Sequence, residues 1–174
     1  MGALSRHPRL VGAAAVALAA ALSVPLLVYV IVPIFVRSTL SEPLPAMTPA
    51  VLGTNAPEII PTAQPTPATL ARGDLVHITA VDYGSGVVRI LTLGKDRFVR
   101  FENVDIAGAP DMYVYLSDRD DGKPGTYIDL GKLKATNGSF NYAVPATADL
   151  AAVRSVVVWC RQFSVTVTYA VLMR

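Results

Sequence analysis

Val153-Arg154-Ser155-Val156-Val157-Val158-Trp159-Cys160, followed across Arg161-Gln162 by Phe163-Ser164-Val165-Thr166-Val167-Thr168-Tyr169-Ala170-Val171, decides the fold of this chain. The first run is apolar at nearly every position, the pattern of a central strand covered on both faces. The second alternates: Phe163, Val165, Val167, Tyr169 and Val171 fall on one side, Ser164, Thr166 and Thr168 on the other. Arg161-Gln162 is left as the connection or bulge between two strands.

Working back toward the N-terminus, the same punctuation recurs. β-Branched and aromatic runs at 74–80, 87–93, 97–106, 112–116, 126–130 and 140–144 are separated by Gly-rich or polar turns at 82–86, 94–96, 108–111, 117–125 and 137–138. Short strands at such spacing predict an all-β fold, an antiparallel β-sandwich or barrel-like domain over residues 70–174. Residues 147–152 read as one short helical turn. No helical period of useful length follows Val36, and no internal repeat is visible.

The N-terminal third has a different character. Residues 10–36 carry no charge; as a helix, roughly 27 residues cover about 40 Å, more than the ~30 Å hydrocarbon core of a bilayer. Arg6, His7 and Arg9 precede the run, which favours residues 1–9 inside the cytoplasm and the remainder outside. Small-residue patterns at 17–21 offer signal-peptide cleavage, but the apolar run continues well beyond the usual ~7–15 residue core of a signal peptide. The expectation is an uncleaved signal-anchor helix, a single span of the cell membrane with the C-terminal domain outside the cytoplasm. Residues 38–69 are rich in Pro, Ala and Thr; their prolines remove donors and fix φ, which predicts an extended linker.

Composition excludes several classes of function. Within residues 70–174, 12 Lys and Arg stand against 11 Asp and Glu, so nucleic-acid binding has no electrostatic footprint. A blue-copper centre needs two His and a Cys, and structural zinc needs four Cys or His ligands. The domain offers only His77 and Cys160. Haem ligation by His77 with Met112 or Met173 is a pairing that chance supplies easily. No Gly-x-Ser-x-Gly turn accompanies a Ser/His/Asp set. Asp118-Arg119-Asp120-Asp121-Gly122 departs from a calcium loop at its fifth position, and Asp129 stands where a bidentate Glu is expected. No metal and no cofactor is assigned.

Cys160 is what remains. It is the chain's single cysteine, so no intrachain disulfide is available to it. It is either a buried small hydrophobe or a reactive thiol, with Arg161 beside it as a cation able to favour the thiolate.

Several runs together resemble the DM-thirteen domain, a family proposed to transfer electrons. They are Tyr83-Gly84-Ser85-Gly86-Val87-Val88, Arg97-Phe98-Val99-Arg100-Phe101-Glu102-Asn103, Ala109-Pro110-Asp111-Met112-Tyr113-Val114-Tyr115-Leu116-Ser117, Ile128-Asp129-Leu130-Gly131-Lys132-Leu133-Lys134, Gly138-Ser139-Phe140-Asn141-Tyr142-Ala143-Val144-Pro145 and Val156-Val157-Val158-Trp159-Cys160-Arg161-Gln162-Phe163. The resemblance covers nearly all of residues 70–174. It implies a β-rich extracellular module whose cysteine, at the position of Cys160, is proposed to be redox-active. Many members carry His where this chain has Asp82. Two functions are therefore expected to compete: electron transfer or thiol redox through Cys160 with a partner protein, and a non-catalytic binding sandwich in which Cys160 is structural. A self-contained enzyme is not expected, because no second cysteine resolves an intermediate.

Overall fold

The structure, a computed structural model, describes residues 8–28, 32, 36–46 and 66–174. Helix α1 (Pro8–Leu26) opens the chain. Among the described residues nine strands follow: β1 (Thr39–Ser41), β2 (Ala68–Asp74), β3 (Gly84–Leu93), β4 (Asp96–Ile106), β5 (Met112–Ser117), β6 (Tyr127–Lys132), β7 (Asn137–Val144), β8 (Ser155–Cys160) and β9 (Val165–Val171). They form two sheets, ordered β1-β7-β4-β3-β2 and β6-β5-β8-β9. The sandwich expected from the sequence is present. Its pairs are antiparallel except β1 with β7, which is parallel.

The core lies between the sheets. Val88, Val99, Phe101 and Phe140 from the first sheet meet Val114, Leu116, Val156, Val158 and Cys160 from the second. Phe101 stacks on Phe140 at 5.1 Å between ring centroids, with Tyr142 edge-on to both. The pleat explains the choice: Val156, Val158 and Cys160 alternate along β8 and share one face. Val157, also fully buried, points the other way, as the unbroken apolar run required.

Several local expectations are corrected. The strand read at 74–80 lies earlier, as β2, and residues 75–78 follow it without regular structure. The turn read at 137–138 begins β7, because Gly138 takes a φ of 107° inside the strand. Residues 147–152 form turns rather than a helical turn. On β9 the alternation does not set the faces: Thr168 and Ala170 are buried while Val165 and Val171 are exposed. A bulge between Val158 and Trp159 inserts an extra β9 residue, so Val167 also turns inward. Thr168 is tolerated there because its hydroxyl donates to the Val76 carbonyl at 2.8 Å.

The first residues of the proline-rich stretch are also ordered against the sheet. β1 pairs with β7 through Thr39–Asn137, Leu40–Gly138 and Ser41–Ser139. The buried Arg100 guanidinium donates to the Glu42 and Pro43 carbonyls at 2.8 and 3.1 Å and to Asn141 at 3.1 Å. Thr39–Ser41 holds three residues without proline, and a parallel edge needs little more. β1 and β2 are the opposite edges of one sheet, so residues 42–67 connect those edges; residues 47–65 of the expected linker lie outside the described residues.

Docking of β1 should depend on pH. Burial pushes the Glu42 carboxyl up, but hydrogen bonds from Lys134 and the Asn141 backbone outweigh it and hold the group below its ordinary 4.5. A depressed acid contributes stability above its unfolded pKa and loses it as pH falls through the folded value. Hydrogen exchange at the Glu42 amide, which donates to the Ser139 carbonyl, should therefore accelerate relative to the core as pH drops below about 4.5. Glu42→Gln should remove that dependence.

The single span expected over residues 10–36 is not reproduced. α1 ends at Leu26 after Pro25, and the backbone loosens into a π turn at 27–28. Among the described residues no helix is long and apolar enough to cross a membrane. Residues 29–31 and 33–35 of the expected span lie outside the described residues.

Candidate functional site

Cys160 is the last residue of β8, paired with Met112 on β5 and Val165 on β9. It is 0 % exposed. Its Sγ–H donates to the Pro110 carbonyl at 2.9 Å. Pro110 belongs to residues 107–111, which join the two sheets outside any strand, with Asp111 at a φ of 54°. The Asp111 carbonyl accepts the Arg161 N–H at 3.1 Å, closing the segment over the thiol. The connection at 161–164 thus does not open Cys160 to solvent.

The electrostatics hold the thiol protonated. Burial is the main cause that pushes it above the ordinary cysteine value; the backbone N–H groups of Phe163 and Gln162 pull the other way, and the Asp111 and Asp82 carboxylates add to the rise. Arg161 does not supply the expected cation. Its guanidinium lies 3.4 Å from the Tyr113 ring centroid, donates to the Tyr115 hydroxyl at 2.6 Å and pairs with Asp129. Consecutive strand residues face opposite sides, and β8 ends so that Cys160 is inward.

Around Arg161 the outer face of the second sheet is aromatic, a feature the sequence reading did not single out. Tyr115 stacks on Tyr127 at 4.1 Å and lies 6.5 Å from Tyr113; Trp159, half-buried, is opposite Tyr113 in register. The signal was there in the period-2 placement of Tyr113 and Tyr115 on β5. Burial pushes the Tyr115 phenol up, against the Arg161 hydrogen bond that lowers it.

Other sequence candidates are dispersed. His77 stacks on Tyr83 at 5.5 Å. Among the described residues no group of three or more His, Cys, Asp or Glu is placed to hold a metal. In the 118–125 loop Arg119 binds Asp121 with two hydrogen bonds, while Asp118 accepts from the Thr126 N–H. These contacts use the acidic side chains to shape a turn. A cleft of about 400 Å³ lined by Leu116, Tyr127, Ile128 and Val153, with Asp118 and Asp149, lies at that end of the sandwich and does not reach Cys160.

The fold and site define a class: a two-sheet β module with one guarded thiol where its sheets join. The family model described as Electron transfer DM13 matches residues 79–172, more than half of the chain. The chain belongs to that DM13 electron-transfer family. No curated protein and no solved structure matches it.

Proposed function

We propose that this protein is a membrane-tethered electron-transfer module, outside the cytoplasm, whose Cys160 exchanges with a partner only when residues 107–111 lift away. The observation that carries the reading is the Cys160 Sγ–H bond to the Pro110 carbonyl. It puts the thiol under a short segment outside any strand, where a local opening exposes it without unfolding either sheet. In the open state Cys160 loses its proton to water and its sulfur attacks a disulfide of the partner. A mixed disulfide forms as the partner's S–S bond breaks, and the leaving sulfur departs as a thiolate. A thiol of a separate dithiol donor then attacks the Cys160 sulfur and releases the partner as a dithiol. The donor's second thiol displaces Cys160 as the donor closes to a disulfide, so two electrons pass from donor to partner. Both resolving thiols are external, because Cys160 is the chain's single cysteine.

The tether rests on the uncharged run of residues 10–36 and on α1 itself. Val16, Leu18, Leu22 and Val24 are all well exposed, so the helix presents apolar surface that no other described residue covers. Such a helix is at home in lipid. Val36, immediately before Arg37, donates to the Val32 carbonyl at 3.0 Å.

The second reading, a binding sandwich with Cys160 as core filler, draws on the complete burial of that residue and on the cleft beside Asp118 and Asp149. One experiment separates them. Under the guarded-thiol reading, oxidised glutathione adds a single glutathione to the folded full chain. Intact mass reports the adduct, reductant removes it, and Cys160→Ser lacks it. If no adduct forms until the chain is denatured, Cys160 is structural.

A further inference from the structure

We propose that one end of the sandwich, built from the 77–83 loop and the 161–164 turn, sits in the lipid headgroup layer of the membrane that holds the chain. The inference rests on the tether reading above and adds the surface that contacts lipid. Four apolar side chains are exposed at this end: Ile78 at 42 %, Val81 at 72 %, Phe163 at 49 % and Val165 at 39 %. They come from two distant parts of the sequence. The fold joins them, because Val76 donates to the Tyr169 carbonyl and Thr168 to the Val76 carbonyl. The 77–83 loop therefore starts beside β9, whose first residue is Val165.

The chain also leaves its apolar N-terminal segment here. Arg37 is clamped between Asp105 and the Tyr83 hydroxyl, and the neighbouring Ser38 carbonyl accepts from Thr136 and Asn137. Val36 immediately precedes Arg37, so the last residue of the uncharged run lies at this end of the domain. The apolar loop tip is built rigidly. Ile78 and Thr79 both donate to the Asp82 carbonyl, at 3.1 and 2.8 Å, and the Thr79 hydroxyl accepts from the Val81 and Asp82 amides. Residues 78–81 carry no charge. A fixed turn that holds Val81 outward has an apolar contact to make, and Tyr83 and His77 beside it are amphipathic rings suited to the interface.

Charge favours a lipid surface over an acidic or basic protein. Three cations of this end are paired, Arg37 with Asp105, Arg161 with Asp129 and Lys132 with Asp111, and the Asp82 carboxylate accepts from the Thr79 hydroxyl at 3.4 Å. The opposite end carries the exposed charges Lys95, Asp96, Arg119, Asp120, Asp121 and Lys123. Ten residues of β3 separate the two ends, about 30 Å at ~3.3 Å per residue.

The test uses the full chain in phosphatidylcholine vesicles, with a nitroxide placed by Val81→Cys, Lys95→Cys or Val24→Cys. All three are made in a Cys160→Ser background, so that the introduced thiol alone carries the label. Collision with a water-soluble nickel chelate reads depth. Lipid contact requires severalfold fewer collisions at 81 than at 95, with 24 inaccessible. If 81 and 95 are equally accessible while 24 is shielded, the docking surface is wrong and the tether stands. If all three are accessible, the tether reading fails and takes the docking surface with it. Ile78→Asp with an otherwise unchanged Val81 probe should raise its collisions toward those at 95; no change overturns the lipid contact.

Discussion

Phe101→Ala should lower the unfolding free energy by about 3–5 kcal/mol, the usual cost of emptying a buried phenylalanine site. Phe101 is fully buried, lies between Val88 and Phe140 in register, and stacks on Phe140. Its ring sits in the core cluster between the sheets, against Phe140 and Tyr142, so the surroundings cannot collapse without moving β4. Against a typical domain stability of about 5–15 kcal/mol, such a loss leaves a substantial unfolded population. Urea unfolding followed by Trp159 fluorescence measures it. Phe163→Ala is the contrast: that ring is half exposed, and in water its removal should change stability by about 0.5 kcal/mol or less. A small effect at Phe101 would mean that the inner face of the five-stranded sheet has been misassigned.

Gly138→Ala should expel β1. Gly138 has a φ of 107°, and a Cβ there would stand 2.1 Å from the Leu40 carbonyl oxygen. Backbone cannot yield as a side-chain tip would. The strand would have to leave, and with it the bonds of Thr136 and Asn137 to Ser38, of Glu42 to Ser139, and the Arg100 clamp on Glu42 and Pro43. Strain together with lost bonds from a buried guanidinium amounts to about 2–4 kcal/mol. Gly131→Ala isolates the clash. Its φ is 99°, but nothing lies within 4 Å of the added carbon, so only conformational strain of about 1–3 kcal/mol applies. Rapid exchange of the Glu42 amide in Gly138→Ala alone is the expected signature; equal exchange in both variants would show that β1 does not depend on this approach.

Most of the sandwich was legible because its central strands obey simple periods. β3, β4, β5 and β8 are long, apolar or alternating, and bounded by turns such as Gly94-Lys95. What escaped depends on tertiary contact. β1 has three residues and no pattern; it exists because Gly138 and Arg100 offer it an edge. The faces of β9 escaped because one bulge shifts the register, and a bulge is set by the partner strand rather than by alternation. Cys160 stands out in the sequence as the chain's single thiol, but its environment is not legible there. Adjacency in sequence suggested Arg161 as its cation, whereas the pleat sends Arg161 to the tyrosines and leaves Asp111 and Asp82 near the sulfur. The aromatic face was visible in spacing alone, and only the packing of Tyr115 on Tyr127 gives it substance.

The guarded thiol is the centre of the account, and its opening is measurable. The rate at which Cys160 in the folded full chain reacts with a disulfide reagent should be followed through low urea concentrations, well below the unfolding transition. If residues 107–111 open locally, the rate lies about 10²–10⁴ below that of the denatured chain and is nearly flat in urea, since local opening exposes little surface. Pro110→Ala should raise it while leaving global stability little changed. A rate that rises with the full slope of global unfolding, and that Pro110→Ala alters only as far as it alters stability, would show that Cys160 is reached only by unfolding the domain and would contradict the account.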